Sequence, residues 1–181
     1  MVHDRNVHPS LPVFAPVDAG AAHRTADGTV RIEPVRWRDL RAVGRVQRRA
    51  FRPALAYGLP TLLALWLLPH VRFVVARQDG EILGCAIGDR QDDHSRVISL
   101  AVDPAARRRG IGAGLLRALE AALPKGNVLL MVEEGNAAAQ ALYRREGYGP
   151  VGHAKDYYGR GRHGLWMQKQ RTTKSPPKLR V

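Results

Sequence analysis

The chain has 181 residues, 45% of them hydrophobic, and a formal charge of +13. That length suffices for one domain with a sizeable core, and the charge limits partners to anions: nucleic acid, an acidic surface or a phosphorylated cofactor. No stretch approaches the roughly 20 apolar residues of a membrane span, the first ten residues have no signal-peptide core, and Cys85 is the single cysteine. A soluble cytoplasmic protein is therefore expected, without a membrane partner, an intrachain disulfide or a cysteine-built metal site.

Residues 1–28 carry Pro9, Pro12, Pro16, Gly20 and Gly28 with little periodicity and read as a flexible lead-in. A folded domain is expected over 29–169, followed by a basic disordered tail over 170–181. Residues 29–36 read as a strand, and Asp39 is placed to cap a helix running to Arg52, with Leu40, Val43, Val46 and Ala50 on its apolar face. A short apolar segment, 61–68, reads as core. Runs at 71–76 and 82–88 flank Asp79-Gly80, a hairpin signal, and 96–102 is a further strand. Past Asp103-Pro104 the period shifts to about 3.6, giving a helix over 111–122 that Pro124 ends. Residues 128–132 form a buried-type strand, 136–146 a helix stopped by Gly147, and 151–157 and 163–168 a closing strand pair. Early hairpins and late strand–helix alternation predict a mixed α/β fold with helices on the sheet faces.

The run Arg107-Arg108-Arg109-Gly110-Ile111-Gly112-Ala113-Gly114 lies between a strand and a helix. The first four N–H groups of a helix lack intrahelical partners, and the aligned peptide dipoles add about half a positive charge there. Glycines let an anion approach closely, and the arginines add charge, so the loop suits a pyrophosphate. It is not a dinucleotide fingerprint, because Leu115 stands at a required glycine and the loop does not follow a first strand. Nor is it an ATPase P-loop, since Leu115-Leu116 replace the Lys and Ser/Thr that would follow the last glycine.

This loop, the preceding 98–104 segment and Asn136-Ala-Ala-Ala-Gln-Ala-Leu-Tyr143 together resemble the GNAT superfamily of acetyltransferases, over roughly residues 30–168. Within it the chain looks most like the ribosomal-protein alanine N-acetyltransferases, which share that helix and a later tyrosine pair, here Tyr157-Tyr158. The resemblance implies a central, mostly antiparallel sheet of about six or seven strands, splayed between the fourth and fifth and flanked by about four helices. It implies acetyl-CoA as co-substrate, with no metal. The pantetheine arm would pair like an added strand with the backbone of Leu100, Ala101 and Val102. The pyrophosphate would sit on Arg107, Arg108, Arg109, Gly110, Ile111, Gly112 and Ala113, and Asn136 would hold the arm or simply cap its helix. Tyr143 would protonate the departing thiolate.

The relatives carry a catalytic Glu five positions before the Asn, where this chain has Met131, a thioether that cannot take a proton. Glu133 is the substitute expected here, with Glu134, His153, Asp93 and His94 behind it. The acceptor is then expected to be a primary amine, preferably an N-terminal α-amine, although small-molecule amines and a non-catalytic CoA-binding or RNA-associated module remain alternatives. Arg41, Arg45, Arg48 and Arg52 recur along one helix face, either as a solvated surface or as a dock for ribosomal RNA. In the family, the region after the first helix borders the acceptor groove, which brings in Tyr57 and Trp66.

Overall fold

The computed structural model describes residues 21–25, 28–124 and 126–171. Period-two apolar alternation generates the sheet. In β3 (Val71–Gln78) Phe73 and Val75 turn to one face, and Val74 and Ala76 to the other. β3 and β4 (Glu81–Arg90) form a hairpin across Asp79 and Gly80, both at positive φ (49° and 83°), as a two-residue turn of matching twist requires. β5 (Ser95–Val102) follows antiparallel to β4, and β2 (Gly28–Pro34) pairs with β3 on the other side.

The helix α3 (Ile111–Ala122) then carries the chain over the sheet, so that β6 (Val128–Glu133) lies parallel to β5. α4 (Ala137–Arg145) leads to β7 (Gly149–Ala154), and β8 (Gly164–Lys169) inserts between β6 and β7. The expected helix before β3 forms as α1 (Leu40–Ala50), and the apolar segment after it is a second helix, α2 (Leu59–Leu67). The core has two halves. Ile111, Leu115, Leu116 and Leu119 of α3 pack on one sheet face, and Val43, Val46 and Leu62 of α1 and α2 on the other. Gly84 in β4 permits this closeness, because a Cβ there would stand 2.8 Å from the Ala101 carbonyl oxygen and 2.9 Å from Leu115 Cδ1.

The chain departs from the sequence-based expectation in four places. β1 (Ala21–Thr25) pairs with β2, so part of the expected flexible lead-in belongs to the sheet, which among the described residues has eight strands in the order β1-β2-β3-β4-β5-β6-β8-β7. Residues 1–20 lie outside the described residues. The Asp39 side chain does not cap α1; it accepts the Arg36 N–H (3.0 Å) and pairs with Arg77 (2.9 Å), closing a short 3-10 turn. The 61–68 segment is not core: only Leu62 of α2 is buried, because the helix touches α1 and β3 on one side alone. Finally, Arg171 belongs to the folded part, donating to the carbonyls of Gly126 (3.1 Å), Glu120 and Pro124 at the negative end of α3. The rest of the expected tail, 172–181, lies outside the described residues.

The feature that positions the site is a wedge at the sheet centre. β5 and β6 pair only from Ser95–Val128 to Val97–Leu130, while β6 stays on β8 as far as Glu133–Gly164. At the same level the β4–β5 register skips Ile98, a bulge that bends β5 away.

Candidate active site

Beyond Val102 the chain turns sharply. The Asp103 side chain accepts the Ala105 N–H (3.0 Å) and the Arg49 guanidinium (2.9 Å), Arg108 and Gly110 take positive φ (61° and 79°), and α3 starts at Ile111. The left-handed conformation at Gly110 aims the first amides of α3 at a cleft of about 390 Å³. Leu100, Ala101 and Val102 form one wall, Arg107, Arg108 and Gly110 to Ala113 a second, and Asn136, Leu142 and Tyr143 a third.

The three arginines part company. Arg108 lines the cleft, and Arg107 bridges its mouth, donating to the carbonyls of Val102 (3.4 Å) and Ala50 (3.3 Å). Arg109, expected in the phosphate site, sends its side chain to Gln78 on β3 (2.6 Å). Successive residues of a turn cannot all face one side, so only the Arg109 peptide remains near the loop.

A second cleft of about 580 Å³ opens between the α1–α2 connection (Ala54 to Tyr57), β5, β6 and the β7–β8 connection. Ala50, Phe51, Leu100, Asn136, Ala139 and Tyr143 line both clefts, which therefore form one trench through the wedge. Tyr143 stands at the junction. It is buried, with its ring edge-on to Tyr148 at 5.9 Å. Burial, with a smaller push from Tyr158, raises the Tyr143 hydroxyl above its ordinary range, so it stays protonated. Tyr148 is held in turn by Glu120 (2.7 Å), which also takes Lys169 (2.7 Å). Asn136 caps α4, its Oδ1 accepting the Ala139 N–H at 3.1 Å, so the capping role is realised at a residue that also faces the trench.

Glu133 lines the second cleft but is not a free base. Arg162 grips both its oxygens (2.6 and 2.7 Å), and that pairing lowers its pKa despite some desolvation. Met131 also lines this cleft; its carbonyl accepts the Tyr158 hydroxyl (3.1 Å), which burial pushes up to about 12. Glu134 pairs with His153, and Asp93 with His94, each at 2.5 Å, outside both clefts. Two residues that line the second cleft escaped the sequence reading. Arg162 lies 29 residues from its partner and looks like any arginine of a Gly-Arg loop. Ser99 lines the second cleft and accepts the buried Gln47 amide (2.9 Å); its only signal was a hydroxyl between Ile98 and Leu100.

A parallel strand pair parted beside a glycine-arginine helix start, with a protonated tyrosine where two clefts meet, is the arrangement of an acyltransferase that draws on a coenzyme A thioester. Residues 37–148 match the acetyltransferase (GNAT) family, and the chain belongs to that family as an N-acetyltransferase. It is 31% identical over 144 residues to an uncharacterized N-acetyltransferase of Methanocaldococcus jannaschii, covering 77% of this chain and 91% of that one. It is 40% identical over 94 residues to the N-alpha-acetyltransferase RimI of Mycobacterium tuberculosis, half of this chain and 60% of the relative. In fold it resembles the ribosomal-protein-S18-alanine N-acetyltransferase of Escherichia coli, with a TM-score of 0.72 and 24% identity over 84% of this chain and 99% of the other. Among the described residues the expected mixed sheet and four α-helices hold, with β1 as an addition.

Proposed function

We propose that the enzyme moves the acetyl group of acetyl-CoA directly to the N-terminal α-amine of a protein or peptide in the cytoplasm. The observation that carries this reading is the single trench with Tyr143 at its waist. The 390 Å³ arm is the one assigned to the donor's reactive end, because it carries the start of α3 and the edge of β5. The amides of 108–113 and the side chains of Arg107 and Arg108 receive the pyrophosphate, and the unpaired edge of β5 at 100–102 takes the pantetheine amides. The Asn136 amide nitrogen, left over by capping, donates to the same arm.

The acceptor enters through the other arm. Its nitrogen lone pair attacks the thioester carbonyl, a C–N bond forms, and backbone N–H groups of the β5 edge are the donors available to the oxyanion. The C–S bond then breaks, and the thiolate takes the Tyr143 proton. The ammonium loses its proton to water, and Tyr143 is reprotonated, since a phenolate is costly in this buried position.

Among the described residues that line the acceptor cleft, Met131 and the Arg162-bound Glu133 offer no strong base, which favours an acceptor that is already neutral. Reference values of about 7.8 for an α-amine and 10.4 for lysine differ by roughly 3.5 kcal/mol of deprotonation free energy. The names of the alanine and N-alpha-acetyltransferase relatives point the same way. Matched peptides offering one free α-amine or one free lysine test this: at pH 7.5 the α-amine should react about a hundredfold faster. Equal rates would remove the α-amine assignment. Thermal protection by acetyl-CoA without thiol release on any amine would instead identify a non-catalytic binding module.

A further inference from the structure

A helix that is apolar all round belongs in an interior. α2, Leu-Pro-Thr-Leu-Leu-Ala-Leu-Trp-Leu, is not in one: Leu63 is 44% exposed, Trp66 37% and Leu67 66%, and Leu68 beyond its end is 41% exposed. Beside it runs α1. A Cβ on Gly44 would lie 3.7 Å from Leu62 Cδ1 and 3.5 Å from an Arg48 guanidinium nitrogen, so Arg48 sits where α1 meets α2, and Arg41 and Arg45 follow it at helical spacing along α1. Arg41, Arg45 and Arg48 are all exposed. Between Leu40 and Gln78 the chain has no carboxylate at all.

We propose that this α1–α2 face docks on an anionic lipid bilayer, the leucines and Trp66 entering the interface and the arginines meeting lipid phosphates. The combination selects this partner. RNA would satisfy the arginines and leave the leucines in water, and a symmetric second copy would set one arginine row against another. A bilayer with acidic headgroups takes both. This reverses the expectation of no membrane partner, which rested on the lack of a spanning segment; among the described residues no helix is long and apolar enough to cross a membrane, and the contact proposed is with the bilayer surface. Residues 54–57, which join the two helices, also line the acceptor cleft, so docking would bring that cleft to the lipid surface. The inference rests on exposure and charge, not on the acceptor assignment, and stands or falls separately from it.

Sedimentation of the full chain with phosphatidylcholine vesicles, with and without one quarter phosphatidylglycerol, tests it at 0.15 M salt. The protein should partition onto the acidic vesicles only. Leu63→Ser with Leu67→Ser should weaken partitioning at least tenfold, through the apolar burial lost at two positions. Arg41→Gln, Arg45→Gln and Arg48→Gln together should weaken it about a hundredfold, at roughly 1 kcal/mol per charge. Brominated lipid should quench the protein's emission, and less so in Trp66→Phe. All these side chains are exposed, so melting temperatures should match the parent and exclude misfolding. The proposal is overturned if the parent ignores acidic vesicles, if the leucine variant binds as well as the parent, in which case the attraction is purely electrostatic as for RNA, or if the leucine variant instead abolishes a dimer seen by light scattering.

Discussion

Changing Tyr143 to Phe removes one oxygen at the junction of the two clefts and leaves everything else. The ring keeps its edge-on contact with Tyr148, and the core around it is unchanged, so folding stability should shift by less than about 1 kcal/mol. The chemistry should respond far more, because the thiolate would then have to leave without a positioned proton. General acid catalysis contributes typically 10²- to 10⁴-fold, or roughly 3 to 5 kcal/mol of barrier. Thiol release from acetyl-CoA with an α-amine peptide should therefore show kcat reduced at least a hundredfold, with KM for acetyl-CoA nearly unchanged. Melting curves with and without acetyl-CoA would show that donor binding survives. If kcat stays within about threefold, Tyr143 is packing and the trench does not use it as an acid.

Arg108→Ala should raise KM for acetyl-CoA about tenfold through a lost charge-assisted contact, whereas Arg109→Ala should leave KM nearly alone and lower the melting temperature, since its side chain is engaged with Gln78. The rising limb of kcat/KM with pH should follow the pKa of the acceptor amine when amines of different basicity are compared, because Arg162 keeps Glu133 ionised and below the usual carboxylate range; a limb fixed across acceptors would reveal a protein base. Gly84→Ala should cost roughly 2 kcal/mol, read by denaturant melting, because the new methyl meets the Ala101 carbonyl and Leu115. Burial raises Tyr143 and Tyr158 above the ordinary value of about 10, so the unfolded chain loses those protons first. Their contribution to stability is complete below pH 10 and declines above it. Melting temperatures between pH 9 and 11 should show the drop, reduced in Tyr158→Phe.

Local rules carried the sequence a long way. The 71–88 hairpin was legible because Asp79-Gly80 can adopt the two positive φ angles its turn demands, and the loop that starts α3 because Gly110 and Gly112 sit at a change of period. β1 was not, since a short alanine- and polar-containing strand is held by backbone pairing that leaves little side-chain pattern. The exposure of α2 was hidden by its own composition, which, being apolar on every side, indicates no inward face. The Glu133–Arg162 pair and the diversion of Arg109 to Gln78 depend on contacts 29 and 31 residues apart, and no spacing rule reaches that far. The splay of the sheet came from family resemblance, because the residues of β5 and β6 would pair equally well along their whole length.

The parting of β5 from β6 also couples two equilibria. A donor whose amides complete the hydrogen bonding of residues 98–102 adds its binding free energy to that of folding, and at 100 times Kd this amounts to about 2.7 kcal/mol. Amide exchange should slow most along that edge and in the first turn of α3. A thermal shift thus reports the donor with no acceptor present, so coenzyme A and its acyl thioesters can be ranked by melting temperature alone, and the acyl chain that the trench accepts can be found before the amine is known.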